Sequence, residues 1–289
     1  MELRWADEAE AERVGALLAG VREVDGRPEE TGFSGDRHLY AEDGGELVGY
    51  ANLDTAGDSF GRQVAELVVR PDRRGQGIGT ALTGELLTRA DRSVRLWAHG
   101  DHPAAAAIAE RAGLKRVREL LVMLADATTA DWPEPAPAAG IALRTFEPGR
   151  DEQAVVDVNA RAFDWHPEQG SLTVEQLRAT ETEDWFDASG FFLAEDRGRV
   201  VGFHWTKVHP PNPRRFGGER VGEVYVVGVD PDAQGGGLGK ALTLAGVRYL
   251  RGLGLGKVIL YVEGDNAPAV AVYSKLGFGR HEVDVQYGR

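Results

Sequence analysis

Two short turns carry most of the residues in this chain that could do chemistry. Arg74-Gly75-Gln76-Gly77-Ile78-Gly79 follows the apolar run Leu67-Val68-Val69 and the pair Pro71-Asp72. About 160 positions on, Gln234-Gly235-Gly236-Gly237-Leu238-Gly239 follows Val227-Gly228-Val229 and Pro231-Asp232. Thr80 and Lys240 then lead into a helical pattern in each copy. A glycine-rich turn entering a helix leaves backbone N–H groups unpaired and pointing outward, and with the helix dipole they suit a pyrophosphate. Side chains there would block the approach. The spacing is neither a Walker loop, which ends Gly-Lys-Ser/Thr, nor a G-x-G-x-x-G dinucleotide fingerprint. A tight strand-to-helix turn with no ligand would explain one copy; its recurrence within a long-period repeat argues for a duplicated domain with a retained site.

Only the second copy has acid–base groups beside its turn. Glu223 lies on the strand leading into it, and an ungapped alignment puts Gln63 at that place in the first copy. Tyr273, in a later helical segment, falls on Ala109, and Asn266 falls on His102. A carboxylate can take a proton from an amine, and a phenol can return one to a leaving group. The second half is therefore expected to be the enzyme, with the first half keeping only a binding turn. Glu223 as a solvated strand carboxylate and Tyr273 as a ring packed on a sheet are the plain alternatives. His99, His102, His204 and His209 lack a compact ligand spacing, so no metal is expected.

The elements that must hold these residues follow from periodicity. In the first half, Val14, Leu17, Leu18 and Val21 mark one face of a helix. Strands are expected over 38–42, 47–53, 64–69, 94–98 and 117–124, with helices over 80–90 and 103–112. Residues 126–140 contain three prolines and no apolar periodicity, and read as an extended linker. The order then restarts: strands over 141–146, 191–194, 200–208, 222–229, 258–262 and 279–287, helices over 151–163, 173–180, 240–253 and 267–276. The fold class is α+β with mixed sheets, in two domains, 1–125 and 141–289.

Composition narrows the function. A chain of 289 residues with 42% hydrophobic content can build two cores. A net charge of -13 argues against nucleic acid as the main partner. The absence of cysteine excludes disulfides, thiolate metal sites and a cysteine nucleophile. The charged N-terminus has no apolar signal core, and no apolar stretch approaches the roughly 20 residues of a membrane span, so a cytoplasmic monomer away from membranes is expected.

The Arg/Gln-x-x-Gly-x-Gly turn after a Val-x-Pro strand resembles the acetyl-CoA signature of the GNAT N-acetyltransferases. Asn266-Ala267-Pro268-Ala269-Val270-Ala271, with Tyr273 and Leu276-Gly277-Phe278, resembles that family's next cofactor segment. The resemblance implies two tandem GNAT domains, each a mixed sheet splayed open at the glycine-turn strand. It also implies that Leu67, Val68, Val69, residues 75–80, Val227, Gly228, Val229, residues 234–240 and residues 266–271 line acetyl-CoA. The runs His166-Pro167-Glu168-Gln169-Gly170, Gly202-Phe203-His204-Trp205-Thr206-Lys207-Val208-His209-Pro210 and Gly222-Glu223-Val224-Tyr225-Val226 further resemble the mycothiol synthase family of actinobacteria. That likeness covers nearly the whole chain. It implies direct acetyl transfer to the cysteinyl amine of cysteinyl-glucosaminyl-inositol, with Glu168, Lys207, Glu223 and Tyr261 touching that substrate. An acidic first-half contact is also implied, but the divergent stretch near Pro28-Glu29-Glu30-Thr31 does not place it. The alternatives are acetylation of another small amine, such as an aminoglycoside, and a non-catalytic acetyl-CoA sensor.

Overall fold

The computed structural model describes residues 1–27, 33, 35–166 and 169–289. The first half runs β1 (Glu2–Ala6), α1 (Ala11–Asp25), β2 (Arg37–Asp43), β3 (Glu46–Asp54), β4 (Val64–Val69), α2 (Ile78–Arg89), β5 (Arg95–Ala98), α3 (Pro103–Arg111) and β6 (Lys115–Asp126). The second runs β7 (Ile141–Thr145), α4 (Glu152–Ala162), α5 (Val174–Thr180), β8 (Phe191–Asp196), β9 (Arg199–His209), β10 (Val221–Val229), α6 (Leu238–Gly252), β11 (Lys257–Glu263), α7 (Ala267–Lys275) and β12 (Gly279–Gly288). Both halves thus share one order, with α5 added in the second.

The valine-rich runs of β4 and β10 form strands where sequence places them. The helices after the turns begin earlier than periodicity suggests, at Ile78 and Leu238. Gly77 (φ 85°) and Gly237 (φ 78°) adopt the left-handed conformation, which starts the helix at the next residue. The sequence reading lacked β1. Its Glu2-Leu3-Arg4-Trp5-Ala6 alternation is only five residues long, too short to stand out before α1. Asp151 does precede α4, but its carboxylate accepts from the Glu147 N–H at 2.8 Å and pairs with Arg144, so it caps the preceding turn rather than the helix.

The strands form one twelve-stranded sheet in the order β1-β2-β3-β4-β5-β12-β6-β11-β10-β9-β8-β7. Each half gives its last strand to the other. β12 pairs with β5 through Val285↔Ala98, Gln286↔Trp97 and Tyr287↔Leu96. β6 pairs with β11 from Lys257↔Asp126 to Glu263↔Leu120, and β6 and β12 pair with each other. One apolar cluster runs through both halves, from Leu39 and Leu82 to Val258 and Val285. Residues 127–140 contain no helix or strand, yet they are pinned. Trp132 is 2% exposed, its indole N–H donates to the Leu276 carbonyl at 2.8 Å, and the Arg251 guanidinium lies over its ring.

Close packing behind the second half of the sheet requires glycine at position 246. His204 on β9 is fully buried against α6, and a Cβ on Gly246 would sit 2.0 Å from its ring. The ring Nδ1–H donates to the Leu242 carbonyl at 2.7 Å, and burial holds the histidine pKa down at about 4, so it stays neutral.

Candidate acetyl-transfer site

All neighbours in the sheet are antiparallel except β4–β5 and β10–β11, and both parallel pairs come apart. β4 and β5 pair only at Val64↔Arg95 and Ala65↔Leu96. β10 and β11 pair only at Gly222↔Val258, Glu223↔Ile259 and Val224↔Leu260. Beyond these points, among the described residues, the inward edges of Glu66–Val69 and Val226–Val229 have no strand partner, which opens a V-shaped cleft in each half. Unpaired backbone N–H groups there can donate to a ligand. A glycine turn closes the wide end of each V.

The turns fit a pyrophosphate. The first backbone bonds of the helices are Ala81 N–H to Gly77 C=O and Ala241 N–H to Gly237 C=O, both 3.0 Å, which leaves the N–H groups of Ile78–Thr80 and Leu238–Lys240 for an anion. A Cβ added at Gly75, Gly77, Gly235, Gly236 or Gly237 meets nothing within 4 Å, so the space above the turns is open. Arg74 and Gln234 do the same work in the two copies: each donates to the last carbonyl of its strand, Val69 at 3.2 Å and Val229 at 3.1 Å. Arg74 also pairs with Asp25 and Arg73 with Asp43, so both cations of the first turn already have partners. Asn266 and His102 are likewise equivalent: each side chain caps the helix after it, accepting from Ala269 N–H at 3.2 Å and Ala104 N–H at 3.1 Å.

Beside the second cleft, Glu223 is 5% exposed, at the last paired step but one of β10. Its Oε2 lies 2.5 Å from Nε2 of His209 on β9. Lys207 is directly opposite Glu223 in register, with its ammonium 4.5 Å from the Trp185 ring centroid and 5.6 Å from that of Tyr225. Tyr261 stands on β11 two residues beyond the partner of Glu223, and burial, then the Glu223 charge, pushes its phenol up to about 12. Tyr273 on α7 packs edge-on to Phe278, and burial pushes its phenol up to about 12 as well. Of the sequence candidates, Glu223, Lys207 and Tyr261 therefore share one face of three neighbouring strands, Tyr273 sits on the helix that follows β11, and Glu168 falls outside the described residues.

The first cleft differs. It forms a cavity of about 880 Å³ lined by Leu67, Val69, Gly77, Ile108, His99 and Tyr287, the last from the exchanged strand β12. Its inner end is a charge cluster shared between the halves. His99 Nδ1 is 3.2 Å from Asp284 and its Nε2 is 3.7 Å from Glu66, while Arg27 pairs with Asp284 and Glu282. Burial opposes a charged His99, but its hydrogen bonds to Asp284 and Glu66 and their charges outweigh it, and its pKa rises to about 9. Burial likewise works against a charged Asp284, yet the His99 bond and the charges of His99 and Arg27 hold it down at about 2. At the same depth in the second half, Glu263 on β11 meets Arg118 from the exchanged strand β6 at 2.6 Å. The two positions carry opposite signs.

The pairing register corrects one sequence expectation. β10 carries a bulge at Tyr225, between Val224 and Val226, and β4 has none. Leu96 opposes Ala65 as Leu260 opposes Val224, so the counterpart of Glu223 is Val64 rather than Gln63. The extra bulged residue is what an ungapped alignment cannot show. Valine takes no proton either, and Gln63 spends its amide oxygen on the Asp91 N–H at 2.8 Å. The sequence signal for His209 is its place two residues after Lys207, on the same face of a strand. Among the described residues no group of His, Asp or Glu could hold a metal ion, and no helix is long and apolar enough to cross a membrane.

Known proteins share both the sequence pattern and this geometry. The acetyltransferase (GNAT) family model matches residues 4–114 and again 159–278. A mycothiol acetyltransferase of Saccharomonospora viridis is 63% identical, over 99% of this chain and 98% of its own. Another, of Amycolatopsis mediterranei, is 64% identical over 98% of this chain and 96% of its own. Among solved structures, a tandem GNAT protein from the clavulanic acid biosynthesis pathway superposes with a TM-score of 0.69 at 22% identity, covering 99% of this chain and 98% of that one. A GCN5-related N-acetyltransferase from Sphaerobacter thermophilus gives 0.67 at 23% identity, covering 99% and 94%. Two matches of one family model, two splayed parallel pairs and two glycine turns on helix N-termini describe the same object, and the chain belongs to the GNAT acetyltransferase family.

Proposed function

We propose that the chain is a mycothiol acetyltransferase, moving an acetyl group from acetyl-CoA to the cysteinyl amine of cysteinyl-glucosaminyl-inositol in the cleft between β10 and β11. The observation that carries the catalytic assignment is Glu223: a buried carboxylate where the strands part, with valine at the same place in the first half. The near-full-length likeness to mycothiol acetyltransferases supports the substrate.

Residues 234–240 hold the pyrophosphate on the N-terminus of α6, and Val227, Gly228 and Val229 offer backbone groups to the pantetheine arm. Residues 266–271, at the start of α7, close the other wall. When bound, acetyl-CoA supplies the activated thioester. The amine must be unprotonated to attack, and Glu223, directly or through a water, takes its proton. Free N–H groups of β10 beyond the bulge donate to the acyl oxygen as it gains charge. Tyr273 is protonated throughout the neutral range and gives its proton to the departing thiolate. Lys207, Tyr261 and Glu168 are assigned to the sugar and inositol hydroxyls and to orienting the amine. The first cleft, with its cavity and glycine turn, is assigned acetyl-CoA binding without turnover.

The direct test is thiol release from acetyl-CoA with cysteinyl-glucosaminyl-inositol, followed by mass spectrometry of the product. Acetylation at the cysteinyl nitrogen is expected. Turnover with other amines but not with this one would discard the substrate, and acetyl-CoA binding with no turnover on any amine would make the chain a sensor.

A further inference from the structure

β9 sets three side chains on one face, because residues two apart along a strand point the same way. Trp205, Lys207 and His209 are those residues, and β10 answers with Glu223, opposite Lys207 and one diagonal step from His209. Diagonal neighbours are within reach of long side chains. The two nitrogen-bearing neighbours are used differently. Lys207 lays its ammonium over the aromatic pair Trp185 and Tyr225. His209 places Nε2 at 2.5 Å from Glu223 Oε2.

We propose that His209 is a positioning residue for the proton acceptor: its Nε2–H fixes one carboxylate oxygen of Glu223 and leaves the other aimed at the amine of the acetyl acceptor. The inference rests on Glu223 being the base. A buried carboxylate needs hydrogen-bond partners, and a flexible glutamate has several rotamers in which its free oxygen misses the nucleophile. A single strong bond to one oxygen selects one of them. As the C–N bond forms and the C–S bond breaks, the amine proton goes to the free oxygen of Glu223 and the thiolate takes one from Tyr273. His209 keeps its own proton throughout, so the role adds no step to the proton balance. Other groups facing this pair are Tyr261 from β11, with Arg215 and Arg27 near its phenol, and Lys207 from β9.

The test is steady-state kinetics of His209→Ala, His209→Asn and His209→Gln beside Glu223→Gln in the full chain, with acetyl-CoA and cysteinyl-glucosaminyl-inositol. Loss of the contact should lower kcat about ten- to hundredfold, the scale of a misplaced reacting group, with KM for acetyl-CoA unchanged. Glutamine carries an amide nitrogen near the position of ring Nε2 and should restore the rate. Asparagine is too short and should not, and this pair decides the matter if the alanine variant does not fold. Wild-type kcat in His209→Asn, or a loss that glutamine does not recover, overturns the inference. Full activity of Glu223→Gln removes instead the reading on which it rests.

Discussion

In the proposed mechanism Glu223 is a carboxylate held in a nearly dry place. Replacement by glutamine keeps the shape and removes the basicity, so kcat should fall by about 10²- to 10⁴-fold while acetyl-CoA affinity by calorimetry stays at the wild-type value. Tyr273→Phe tests the other proton. The phenol is pushed up to about 12, so it is protonated throughout the neutral range and contributes no limb to a profile between pH 6 and about 10. The variant should lose kcat without altering that profile's shape. Sequence points to both residues because the chain supplies its own control: the first half shows the same turn without them. It does not single out His209. Nothing along the sequence says that residues 209 and 223 are diagonal neighbours, since that register depends on where β9 and β10 turn and where β10 bulges. The same bulge displaced the apparent counterpart of Glu223 from Val64 to Gln63.

At the scale of elements, the site is held from behind by α6. His204 fits because Gly246 has no side chain, and an added Cβ would lie 2.0 Å from the ring. Gly246→Ala should therefore overpack the α6–β9 contact and destabilise the chain by about 1–3 kcal/mol, read from chemical denaturation. Acetyl-CoA turnover should fall with it, since β9 carries Lys207 and His209. Most elements were legible, and for a reason: β4, β9 and β10 are β-branched or aromatic runs bounded by turn residues, and α1 and α6 have clear apolar faces. The exceptions are short or conformational. β1 is too brief to show a period, and the first turns of α2 and α6 depend on left-handed glycines rather than on the apolar pattern.

At the scale of the whole molecule, the exchange of β6 and β12 binds the halves more firmly than the linker between them. Cleavage within residues 133–139 should leave two fragments that co-elute in native gel filtration and separate only in denaturant. The charge cluster shared between the halves gives a pH dependence with a definite sign. Asp284, at about 2 when folded against an ordinary value of about 3.9, contributes stability that is present above 3.9 and is lost as pH falls toward 2. His99, at about 9 against an ordinary 6.5, contributes stability that is present below 6.5 and is lost as pH rises through 9. The wild type should hold its largest Tm advantage over His99→Gln between about pH 4 and 6.5; an advantage that instead grows from pH 6.5 to 9 would refute this linkage. Sequence repeats announced two domains, but they could not announce the crossing, because each exchanged strand has the ordinary alternation of a strand that stays at home. That crossing also sets an order on synthesis. β5 finds its neighbour in β12, which follows every other described strand, so the first half carries an open sheet edge until β12 has been made. Deleting β12 would strip none of the proposed catalytic residues, yet it would leave the amino-terminal half unfinished and its bare edge open to aggregation.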